Sequence, residues 1–178
     1  MAIERQPCDL SGAPIASSSE GTAHTRTLLC ILANPPVGNG ARTRGRVELA
    51  RELLDYQTAV IGNLFALPSH SVTDISVLGA TPEGWVAART ELEAQLEQCA
   101  GVLLAYGTAL PTGQARRHHR DQMQWLHDQL AVTTAPLYWV GDGPRHPSRW
   151  QRWTAHVHPM REFRAALADS LVLVPTTK

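Results

Sequence analysis

An excess of charge of either sign, paired cysteines and long apolar runs are all missing from this chain. Its 16 Lys and Arg offset 16 Asp and Glu over 178 residues. A strongly basic, non-specific nucleic-acid binder is therefore not the first reading, although a local basic face stays open. Cys8, Cys30 and Cys99 are odd in number and widely spaced. No pair has metal-knuckle or redox spacing, which argues against a zinc site or an iron–sulfur cluster. Cys30 and Cys99 lie in apolar surroundings and read as buried thiols. Free thiols without a secretory signal point to the cytoplasm. No stretch approaches bilayer-spanning length, so no membrane association is expected.

Several signatures of chemistry are missing too. There is no Gly-x-Gly-x-x-Gly fingerprint, no P-loop and no Gly-x-Ser-x-Gly elbow, so triphosphate hydrolysis and serine-esterase chemistry lack their usual parts. His118, His119 and His127 have no carboxylate at ligand spacing, and no metal site is expected.

The sequence does supply a single domain's worth of core. Residues 1–26, rich in Ser, Gly and Ala, read as a flexible or loosely packed leader, and 27–178 as one α/β domain. TLLCILAN (27–34) is a short apolar run ending in Asn-Pro-Pro, the pattern of a buried strand opening onto a loop. From Thr43, Val47, Ala50, Leu53 and Leu54 recur at helical spacing. Strands are expected at 58–67, 101–107 and 135–143. Helices are expected at 82–99, with Thr81 as N-cap and Pro82 in the first turn, and at 113–130, with Met123, Leu126 and Leu130 inward. A last helix covers 159–170, packed by Phe163, Ala166, Leu167 and Leu171. Residues 69–79 show no period and read as a surface loop, as does PRHPSRWQRW (144–153). Continuous apolar strands alternating with helices predict a three-layer sandwich with a mostly parallel, four-stranded sheet.

In such sheets ligands gather beyond the carboxyl ends of the strands, where every unusual loop of this chain falls. Asn34 combines an amide donor and a carbonyl acceptor able to orient a water, and Pro35 stiffens its loop. Asn34, Pro35 and Pro36 also suit a plain strand-ending turn. Asn63, inside an apolar strand end, needs partners, either backbone or a ligand edge. Phe65 is either a stacking surface for a ring or core. A neutral His146 could donate to charge developing on a leaving group, or could be an ordinary loop histidine. Ser148 could seat a phosphate, with Arg145, Arg149 and Arg152 supplying charge. Trp150 and Trp153, interleaved with these arginines, suit stacking or a short amphipathic helix equally. The basic run ARRHHRDQMQW (115–125) reads as a solvated helix face.

LANPP, GNLFALP, LLAYG and GDGPRHPS, taken in order from about residue 27 to 153, resemble a family of small bacterial and phage proteins carrying a domain of unknown function. More distantly, the same order resembles the uracil-DNA glycosylase superfamily, with its Asn-Pro first motif, internal Asn and late His-Pro-Ser. That resemblance implies a uracil-DNA glycosylase-like fold and hydrolysis of the N-glycosidic bond of a nucleobase extruded into a pocket. It implies that Asn34 positions the hydrolytic water, Asn63 reads the base edge, His146 stabilises the departing base anion and Ser148 touches a phosphate. No metal or organic cofactor and no obligate protein partner is implied. The substrate would be a nucleotide, a nucleoside or single-stranded nucleic acid. Two departures stand out: Ala-Asn-Pro-Pro replaces Gly-x-Asn-Pro-Gly, and Arg149-Trp150 follows His-Pro-Ser in place of an apolar wedge loop. The alternatives are a non-catalytic nucleotide or nucleic-acid binder and an enzyme of a non-nucleotide metabolite.

Overall fold

The computed structural model describes residues 25–175, so most of the expected leader, with Cys8, lies outside the described residues. Strand β1 (Thr27–Leu32) splits its side chains by the two-residue period of a pleated strand. Leu28, Cys30 and Leu32 enter one hydrophobic cluster, Leu29 and Ile31 a second on the opposite face. The strand is thus buried on both sides, which explains its continuous apolar run.

The remaining strands are β2 (Thr58–Asn63), β3 (Gly101–Leu104), β4 (Leu137–Val140) and β5 (Leu171–Leu173). Their order is β2-β1-β3-β4-β5, parallel throughout except for antiparallel β5. Helices α1 (Ala41–Leu53), α5 (Pro147–Val157) and α6 (Phe163–Ser170) pack with one another on the first cluster's face. Helices α3 (Glu83–Gln98) and α4 (Gly113–Val132) cover the second, and α2 (Val72–Leu78) rests on α4. Among the described residues no helix is long and apolar enough to cross a membrane.

Five strands, not four, make the sheet. Leu171, expected on the inner face of the last helix, is the first residue of β5 and still packs against the first cluster. The helix-to-strand change follows Ser170 directly, so no turn residue announces it. Residues 69–79 are not an irregular loop: α2 is closed by a capping box in which Ser71 Oγ accepts from Asp74 N–H and the Asp74 carboxylate accepts from Ser71 N–H. Only Ile75 of its seven residues is fully buried, too little for a helical period to show. The Pro-Arg-His-Pro segment is the entry to α5, with His146 as N-cap and Pro147 in the first turn. Pro82 takes the cap position of α3, one residue beyond the expected Thr81. Cys30 is buried, whereas Cys99, at the end of α3, is only half-buried.

Candidate functional site

Connections from β1 lead outward to β2, and those from β3 lead the other way to β4, so chain direction reverses between β1 and β3. That switch leaves a crevice beyond the strand ends. A groove of about 500 Å³ lies there. Its walls are Ala33 and Asn34 after β1, His70 to Val72 at the start of α2, Tyr106 to Ala109 after β3, and Arg145, His146, Ser148 and Arg149 around the start of α5.

Two backbone bonds hold these walls together. Ala105 N–H donates to Ile31 C=O at 2.9 Å, aligning the ends of β1 and β3. Gly107, at φ 84°, donates to Pro144 C=O at 2.5 Å, tying the β3 loop to the approach to α5. A side chain at Gly107 would strain that left-handed backbone.

Asn34 is held in one orientation. Its Nδ2 donates to Pro35 C=O and to Ser69 C=O, each at 2.8 Å. Both partners are carbonyls, so the amide nitrogen must face them. The side-chain oxygen has no hydrogen-bond partner among the described residues and is the free acceptor of a residue that lines the groove. Pro35 acts through its backbone: its carbonyl also accepts from Ser69 N–H at 3.2 Å.

His146 is equally constrained. Its Nδ1 accepts from Ser148 N–H at 3.2 Å and lies 2.9 Å from Ser148 Oγ. A ring nitrogen that accepts from a backbone amide carries no proton, so the neutral ring bears its hydrogen on Nε2. Burial, followed by the charges of Arg149 and Arg46, pushes the His146 pKa below the ordinary histidine value. Neutral imidazole with an Nε2–H donor is therefore the state at neutral pH. Arg46 was not singled out in the sequence. It reaches from α1 to Pro147 C=O at 2.6 Å and Gln151 Oε1 at 2.9 Å, and nothing in its own neighbourhood of the chain signals that contact.

The structure brings Asn34, Arg145, His146 and Ser148 together and keeps Asn63 and Phe65 apart from them. Asn63 ends edge strand β2, outside the groove walls, with its buried Oδ1 unpartnered among the described residues. Phe65 is fully buried, with its ring 4.7 Å from that of Trp85. A Cβ on Gly84 would sit 2.4 Å from the Phe65 ring, so α3 closes on it and leaves no face for a ligand. The Arg145 guanidinium pairs with Asp142 at 2.5 Å and stacks on Trp153, 4.9 Å from the ring centre. Its charge lines the groove while its geometry is already fixed.

Arginines cluster near the helix starts on this side of the sheet, and Arg149 among them lines the groove. Helices α1, α4 and α5 begin at the carboxyl edge of the sheet and have no acid in their first turns. Arg42, Arg44, Arg116, Arg117, Arg149 and Arg152 occupy their early turns and make no ion pair among the described residues. In a first turn an acid would be favoured by roughly 0.3–1 kcal/mol, so Arg42 and Arg149 sit where the helix dipole disfavours a cation. Among the described residues no three His, Cys, Asp or Glu side chains group as a metal site.

Helix α2 supplies one wall, and its cap sets that wall's position. Ser71→Ala is expected to cost about 1 kcal/mol of stability and to raise amide exchange across 71–76. Hydrogen-exchange mass spectrometry checks this, and unchanged exchange would show that packing alone holds α2.

No family model, curated protein or solved structure matches the chain. The groove's chemistry therefore rests on its own residues.

Proposed function

We propose that the protein hydrolyses the N-glycosidic bond of a nucleobase, within a nucleotide, nucleoside or nucleic acid. One observation carries the reading: Asn34 and His146 line a single groove, and their hydrogen bonds engage Asn34 Nδ2 and His146 Nδ1, leaving an amide acceptor, Oδ1, and a neutral imidazole donor, Nε2–H. Such a pair serves glycosidic cleavage. As the C1′–N bond breaks, its electron pair moves onto the base, and a preorganised neutral donor stabilises the resulting anion. A water held by the Asn34 oxygen adds to C1′ and releases its proton to solvent.

The parallel order β2-β1-β3-β4 and the sequence resemblance to the uracil-DNA glycosylase superfamily support the same reading. In it, Tyr106 is the aromatic wall available to the ring, since Phe65 is enclosed and Asn63 lies outside the groove. Ser148 Oγ and the two groove arginines, Arg145 and Arg149, are the groups available to a phosphate.

The test is base release, followed by mass, from uracil-, hypoxanthine- and xanthine-containing DNA, RNA, nucleotides and nucleosides. Release that disappears in Asn34→Ala is the expected result. No release from any substrate by the folded protein removes the proposal and leaves binding, or another metabolite, as the groove's role.

A further inference from the structure

Behind the groove lies a second, much smaller cavity of about 20 Å³. It shares Ala33, Val72, Tyr106 and Ala109 with the groove wall, so the two spaces meet across these four side chains. Its deeper walls include Leu64, Ile75 and Trp85, all at least 97% buried. The indole N–H of Trp85 is committed to Gly79 C=O at 2.9 Å, and His119 stands edge-on to the indole with ring centres 5.8 Å apart.

Seven of the nine wall residues are apolar, and only Tyr106 and His119 could serve a buried water, the low end of the two to four polar partners it needs. Protein cores leave few voids, because the atoms lining one lose dispersion contacts on that side. A largely apolar space the size of one methyl group, adjoining the groove, suits an apolar part of a ligand held there. We infer that this annex receives a methyl-sized apolar substituent on the ring bound in the groove, so that substituted rings are preferred over unsubstituted ones. The inference rests on the groove being a seat for a heteroaromatic ring, and it adds which ring is chosen.

The experiment compares uracil with thymine, and cytosine with 5-methylcytosine, as free bases and nucleosides binding to the full chain by NMR titration. Burying one methyl predicts about four-fold tighter binding of the methylated member, with nuclear Overhauser contacts from its methyl to the ring protons of Trp85 and Tyr106. Ile75→Val removes one methylene from the annex wall and is mild enough to fold. It should extend the preference to 5-ethyluracil and leave the affinity for uracil unchanged. Equal binding of methylated and unmethylated rings, or a methyl without contacts to Trp85, overturns the annex while leaving the groove as a ring site. No binding of any ring overturns both, and base release from polymers then decides whether the glycosidic reading survives in another form.

Discussion

Replacing His146 with alanine is expected to lower the rate of base release about 100- to 1,000-fold, the usual cost of losing one preorganised donor to a developing anion. His146 also caps α5, and losing a cap costs about 1 kcal/mol, so the alanine variant mixes two effects. His146→Asn separates them, because asparagine keeps a capping acceptor and lacks the long-reaching ring N–H. Its helix should stay capped while its rate falls as in the alanine variant. A rate restored to the wild-type level by asparagine would reduce His146 to a structural role.

The pH profile follows from the same geometry. Burial, Arg149 and Arg46 place the His146 pKa below its ordinary value, so the donor stays neutral through the neutral range. Activity should be flat there and fall only on acidification below the ordinary histidine range, and the His146 variants should lack that acid limb. Stability has the same sign. A pKa depressed on folding means that the unfolded chain binds the proton more strongly. The stability held by the neutral ring is present above the unfolded value and is lost as pH falls through the depressed one. NMR titration of the ring carbons against a pH–rate profile checks both, and an acid limb retained without His146 would assign it to another group.

Trp150→Ala carries the largest expected loss of stability, about 3–5 kcal/mol. The side chain is fully buried, packs with Leu28, Cys30 and Leu167, and donates through Nε1 to Arg145 C=O at 2.7 Å. Domains of this size hold roughly 5–15 kcal/mol in total, so a marked fall in Tm is expected. The hydrogen bond lands on the residue before His146, so the loss reaches the groove as well. Trp150→Phe keeps most of the packing and orphans the carbonyl, for a cost of about 1–3 kcal/mol. Chemical denaturation of the two variants separates cavity from hydrogen bond. A loss under 1 kcal/mol in Trp150→Ala would show that α5 is anchored by something else.

Residues 144–153 read as a loop, with a short amphipathic helix packed by Trp150 and Trp153 as the alternative; the structure replaces the loop with helix α5 from Pro147 onward. His-Pro at a helix entry and two tryptophans three residues apart fit α5, and the stacking alternative was equally open because both uses need the same residue types. Burial of Trp150 decides between them. Phe65 shows the converse. Its place after an apolar strand suited a ligand wall or a core residue, and only the approach of Gly84 and Trp85 encloses it. Helix α2 was carried by one short cue, Ser71-x-x-Asp74, in a stretch too brief for periodicity to register. Strand β5 had no cue, since its three residues take their partners from β4, far back in the chain.

The sequence by itself determined the alternation of strands and helices, the double-sided burial of β1 and the placing of unusual loops at strand ends. These depend on side-chain periodicity and local turn chemistry, which neighbours in the chain dictate. Tertiary structure decided which of those loops meet. Strand order puts the ends of β1 and β3 side by side and leaves Asn63 on an outer strand. Long-range partners fix the rest: Ser69 C=O orients Asn34, and Arg46, 100 residues before His146, helps keep that ring neutral. Contacts between residues so far apart are set by packing of the whole sheet and its helices, and no local pattern encodes them.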